Sequence, residues 1–83
     1  MTPEVKQVVL GALKFGYSHG LQRNLSSMPG IKSMNHNVTQ IANIAMIVGQ
    51  TTRYLQDICK KEGMPKKAED FKFVYEKLLH SLR

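Results

Sequence analysis

Eighty-three residues, 42% of them hydrophobic and 22% charged, suffice for one modest core and leave no room for a deep cleft between lobes. Twelve Lys and Arg against six Asp and Glu give a net charge of +6, which favours polyanions or acidic protein surfaces as partners. A single cysteine, Cys59, excludes an intrachain disulfide and a cysteine-built metal site, and fits a reducing compartment.

The first stretch, "MTPEVKQVVLGALKFGYSHG", places charges at Glu4, Lys6 and Lys14 and has no apolar run long enough for a leader or membrane span. The expectation is a cytoplasmic, unprocessed chain. Thr2 is the expected N-cap of a first helix, with Pro3 in its first turn, where a missing N–H costs nothing. Val5, Val8, Val9, Leu13, Tyr17 and Leu21 recur at helical spacing. Gly11, Gly16 and Gly20 each cost such a helix about 1 kcal/mol against Ala. Ala12, Gly16 and Gly20 fall four apart on one stripe, which predicts either close approach by another helix or a break before residue 20.

"NLSSMPGIKSMNHN", residues 24–37, is rich in turn formers and reads as a long connector tacked to the core by Met28, Ile31 and Met34. Asn37 with Gln40 has capping-box character and marks the next helical start. Gly63 and Pro65 close that segment after Lys60 and Lys61, whose charges suit a helix C-terminus. A last helix follows from Pro65, with Ala68, Phe71, Val74, Tyr75, Leu78 and Leu82 on its apolar face. No strand-period alternation occurs. The fold class is therefore all-α, a bundle of three to four helices in one domain spanning residues 1–83, and Leu55 and Leu78 are expected near the centre of its core.

Residues 38–62 admit two readings. One is a single helix through Gly49, with Ile41, Ile44, Val48, Leu55 and Ile58 on a broad stripe. The other rests on Ala45, a small residue where two helices would cross, on Gly49 four residues later, and on aliphatic Ile44, Val48, Leu55 and Ile58 around them. This spacing resembles the helix-turn-helix family of DNA-binding proteins, over residues 40–62. The pattern departs from that family at Gln50, where an aliphatic follows the turn glycine, and at Ile47, where an exposed residue is usual.

The resemblance implies a turn with positive φ at Gly49, a second helix capped by Thr51 or Thr52, and double-stranded DNA as partner. Thr51, Thr52, Arg53, Gln56 and Lys60 would face the groove, with Arg53 donating to guanine and Gln56 to adenine, and Lys60, Lys61, Lys66 and Lys67 would meet phosphates. The function that follows is transcriptional or mobile-element regulation, by a dimer.

A second function class stands beside it. The nearly all-apolar "IANIAMIV" leaves little polar face on its helix, so an exposed Met46–Ile47 patch would be a partner surface or a homodimer seam. The chain would then be a non-enzymatic interaction module, such as an adaptor or a phage-type inhibitor of a host protein.

Signals for catalysis are missing. His19, His36 and His80 lie on separate elements without metal-ligand spacing, and Ser26 and Ser27 have no nucleophile-elbow context. Glu69 and Asp70 are explained by a helix N-terminus. No phosphate loop is present, so neither a metal, a cofactor nor an enzymatic activity is expected. Cys59 reads as a small packing residue, and Phe73 and Tyr54 as the aromatics left exposed.

Overall fold

The computed structural model describes residues 1–83 as three α-helices joined by short turns, with no strand. Helix α1 spans Pro3–His19, α2 spans His36–Lys61 and α3 spans Pro65–Leu82. Short 3₁₀ turns at Gly20–Gln22, Leu25–Ser27 and Ile31–Ser33 form the link between α1 and α2.

Local chemistry sets the helix ends. The Thr2 hydroxyl accepts from the Val5 amide at 3.2 Å, and Pro3 occupies the first turn of α1. Helix α2 begins two residues earlier than expected. Its N-cap is Asn35, whose Oδ1 accepts from the Val38 amide at 2.9 Å, and Asn37 is already inside the helix. Gly63, at φ 75°, turns the chain between α2 and α3, and Pro65 starts α3.

No turn interrupts α2. Residues 40–62 do not form the helix-turn-helix expected from their spacing, because Gly49 lies within a 26-residue helix and its φ is not positive. The physical reason for a glycine there is the crossing with α1. A Cβ on Gly49 would collide with the Leu13 carbonyl and lie 2.8 Å from the Tyr17 nitrogen. A Cβ on Gly16 would collide with the Met46 carbonyl and lie 3.0 Å from the Gln50 nitrogen. The two glycines let the backbones of α1 and α2 touch. Nor does Thr52 cap a second helix, since its hydroxyl donates back to the Val48 carbonyl at 2.8 Å inside α2.

Helix α2 is central, with α1 and α3 packed on adjoining sides and touching each other far less. The core comprises Ala12 and Leu13 of α1, Ala42, Ala45 and Met46 of α2, Tyr75 of α3, and Met28 and Ile31 from the connector. Residues 24–37 are thus tied down as their Met and Ile content predicts, with Met34 packed at the margin. The molecule is a slab of 42 × 25 × 15 Å with no large side chain fully buried. Leu78 does not reach the centre of the core, lying 36% exposed, and Leu55 is half-buried.

Candidate docking face

The inner side of α2 accounts for three residues of the predicted DNA-reading set. Thr52 is buried, and Gln56 is buried with its Oε1 accepting from the Tyr17 hydroxyl at 2.6 Å. The Arg53 guanidinium donates to the Tyr17 and Ser18 carbonyls at 3.0 and 3.4 Å, and its charge lies 5.8 Å from the Tyr17 ring centroid. It thereby satisfies the free carbonyls at the end of α1, where a cation also suits the helix dipole. Arg53 also pairs with Asp57 at 3.4 Å, the only ion pair in the molecule. Arg53 and Gln56 join α2 to α1 and Thr52 is buried; they do not share a solvent face with Thr51, which is exposed.

Around these residues the polar interior is fully paired, with no buried side-chain nitrogen or oxygen left without a partner. Tyr75 stacks on Tyr17 with ring centroids 3.8 Å apart and an interplanar angle of 11°. Burial lifts the Tyr75 hydroxyl above its ordinary pKa of 10.0, the neighbouring Tyr17 adds to the rise, and Arg83 opposes it.

The lysines of the predicted set have a different fate. Lys60, Lys61, Lys66 and Lys67 are all exposed, and the Gly63 turn gathers them at one end of the molecule. None has an ion-pair partner.

The other side of α2 is where the large aliphatics lie. Ile44 is 63% exposed, Ile47 is 47% exposed, and Ile41 and Val48 are exposed beside them. Their spacing of three and four residues puts them on one face. Met46, predicted to share a surface patch with Ile47, is instead 4% exposed and belongs to the core. The reason is the 100° turn per residue, which aims Met46 at α1 when Ile47 faces solvent.

Helix α3 continues the face. Val74 and Leu78, four residues apart on α3, are both exposed. Between the helices lies a groove of about 260 Å³, lined by Val9, Leu13, Ala45, Val48, Leu78 and Leu82, with Ser81 the one polar residue. The short turn between α2 and α3 makes the two helices antiparallel, and the groove brings Val48 together with Leu78.

Sequence reasoning missed Val74 and Leu78 as surface residues, because an apolar stripe normally points inward. The signal available was the width of the α2 stripe: Ile41, Ile44, Ile47 and Val48 together with Ala42, Ala45 and Met46 surround the helix, and two neighbours cannot cover all of it.

Elsewhere, His19 lies against Phe15, His36 contacts Gln40, and no three His, Cys, Asp or Glu side chains stand close enough to share a metal ion. No helix is long and apolar enough to cross a membrane. No protein-family model, curated protein or solved structure matches this chain.

Proposed function

We propose that this chain is a non-enzymatic helical interaction module, which engages a protein partner on the outer face of α2 and the adjoining flank of α3. One observation carries this reading. The α1–α2 crossing is packed with Ala12, Ala42, Ala45, Gly16 and Gly49 beside Leu13 and Met46, while Ile41, Ile44, Ile47, Val48, Val74 and Leu78 are exposed. A soluble chain rarely leaves so many neighbouring large aliphatics in water unless a partner covers them.

The extent of the surface agrees. A globular chain of 9.4 kDa exposes about 5,000 Å², whereas this slab exposes 5772 Å². The surplus is close to one partner's share of a standard interface, roughly 800 Å².

A nucleic-acid reading retains one supporting observation, the unpaired lysines at the Gly63 turn. Those residues supply phosphate contacts but no base readout, since Arg53 and Gln56 are committed to α1.

Two titrations test the proposal. An environment-sensitive apolar dye is expected to bind the folded chain and to lose that binding in the double variant Ile44→Asp, Val74→Asp, with the thermal midpoint little changed. Duplex DNA is expected to bind weakly, without sequence preference and with steep salt dependence. Sequence-specific duplex binding that persists at about 0.2 M salt would replace this proposal with the nucleic-acid reading.

A further inference from the structure

We infer that the occupant of this face is an amphipathic helix carrying acidic residues towards one end of its apolar stripe, and not a second copy of this chain. The inference rests on the docking-face reading above.

The shape points to a helix. Val48 of α2 and Leu78 of α3 line one groove together with Val9 and Leu13 of α1, and Ile44 and Val74 are exposed one turn away from them on α2 and α3. A partner helix laid across that groove presents anchors at i, i+3, i+4 and i+7 to these exposed aliphatics.

Charge selects the chemistry of that helix. Along the outer face of α2, the row Ile47–Tyr54 reaches Lys61 after one more heptad, and Val74 on α3 is one heptad beyond Lys67. Lys60 and Lys66 stand beside them, so four lysines meet Glu62 alone between residues 60 and 67. Asp70 is the one carboxylate bordering the Val74 row, and it is outnumbered there by Lys66, Lys67 and Lys77. None of these cations is neutralised within the chain. Exposed aliphatics in the middle of α2 and α3 therefore give way to exposed lysines at the Gly63 turn, and an occupant with carboxylates at that end complements both.

A second copy does not. Pairing two chains of +6 doubles the charge, and a copy brings to the cationic end at most its own Glu62 and Asp70 with four more lysines. A parallel contact sets Lys61 against its own equivalent. An antiparallel contact sets it against His36, Asn37 and Gln40 at the start of α2, where no acidic side chain stands. Like charges so juxtaposed oppose association.

The test uses a labelled helical peptide of about 18 residues with Leu on one face and Glu flanking that face at one end, and its twin with Lys in place of Glu. Binding is read by fluorescence anisotropy, and the free chain is sedimented in parallel. The chain is expected to sediment as a monomer and to bind the Glu peptide about tenfold or more tightly than the Lys peptide at physiological salt, with the difference collapsing at about 1 M. Lys61→Glu with Lys67→Glu is expected to reverse the preference, and Ile44→Asp with Val74→Asp to abolish binding of both peptides. Circular dichroism of each variant shows that the helices persist. Equal affinity for the two peptides, still lost in the Ile44→Asp, Val74→Asp variant, overturns the acidic occupant while the docking face stands. A monomer that binds neither peptide overturns both readings. A dimer dispersed by Ile44→Asp makes the second copy the occupant.

Discussion

The two sides of α2 invert the usual relation between hydrophobicity and burial. Its inner side buries Ala42, Ala45, Met46, Gly49, Thr52, Gln56 and Cys59, and its outer side exposes Ile41, Ile44, Ile47 and Val48. Met46 apart, the inner side is made of residues that are small or hydrogen-bonded to a fixed partner. Close approach of the α1 backbone at Gly16 and Gly49 leaves no space for larger groups, so burial there follows from helix-to-helix distance. The outer side has no such neighbour. The difference teaches that one helix can divide between a packed side of mostly small residues and an exposed side of large aliphatics.

Adjacent residues give the largest expected contrast. Met46→Ala removes a core side chain and is expected to cost about 2–5 kcal/mol. Ile47→Ala, one residue on, is expected to change stability by no more than roughly 0.5 kcal/mol. Chemical denaturation of both variants measures the pair. Comparable losses would mean that the two sides of α2 are buried alike.

Gly49→Ala is expected to cost about 1–3 kcal/mol. Helix propensity alone predicts the opposite sign, a gain of about 1 kcal/mol. The cost arises because the added methyl meets the Leu13 carbonyl and the Tyr17 nitrogen, both backbone atoms that cannot rotate away. Gly16→Ala is expected to behave similarly through the Met46 carbonyl. Stabilisation in either variant would show that α1 and α2 are further apart than described.

The polar part of the inner side gives a smaller effect. Tyr17→Phe removes the donor to Gln56 Oε1 and leaves a buried acceptor unpaired, at a cost of about 1–2 kcal/mol. The stacked Tyr75 adds a pH dependence. Its hydroxyl pKa is raised in the folded chain, so on alkalinisation the unfolded chain loses that proton first. The associated stability is present below pH 10.0 and is lost as pH rises through the folded-state value. Thermal midpoints between about pH 9 and pH 11 are expected to fall less steeply in Tyr75→Phe than in the parent chain. An identical slope would place the alkaline loss elsewhere.

These contrasts also explain what was legible beforehand. Thr2, Pro3, Gly63 and Pro65 act through their own backbone and nearest neighbours, so the ends of α1 and the turn before α3 could be read from sequence. Met28 and Ile31 announced a tethered connector in the same way, as isolated apolar groups among turn formers. Gly49 was ambiguous because a glycine serves either a positive φ or a close crossing, and only the position of Gly16 in space separates the two. Arg53 and Gln56 looked like base-reading groups on a free helix, yet their partners lie 36 and 39 residues away in Tyr17, which no local pattern reports. Val74 and Leu78 were misplaced because a stripe shows which residues share a face and says nothing of whether another helix covers it.

The smallest expected effect comes from the same chemical change made where nothing crowds it. Gly11 is exposed in the middle of α1, its φ is not positive, and an added Cβ would meet no atom within 4 Å. Gly11→Ala therefore leaves the folded contacts alone and restricts the unfolded chain, which loses glycine's extra backbone freedom. A gain of about 0.5–1 kcal/mol is expected, seen as a higher denaturation midpoint with an unchanged slope. The value of this variant lies in its sign relative to Gly49→Ala. Both replace a helical glycine with alanine, so propensity contributes equally to each, and only the neighbouring helix differs. If the two variants shift stability in the same direction, crowding at the α1–α2 crossing is not what keeps glycine at Gly49, and the case for a core built of small residues fails with it.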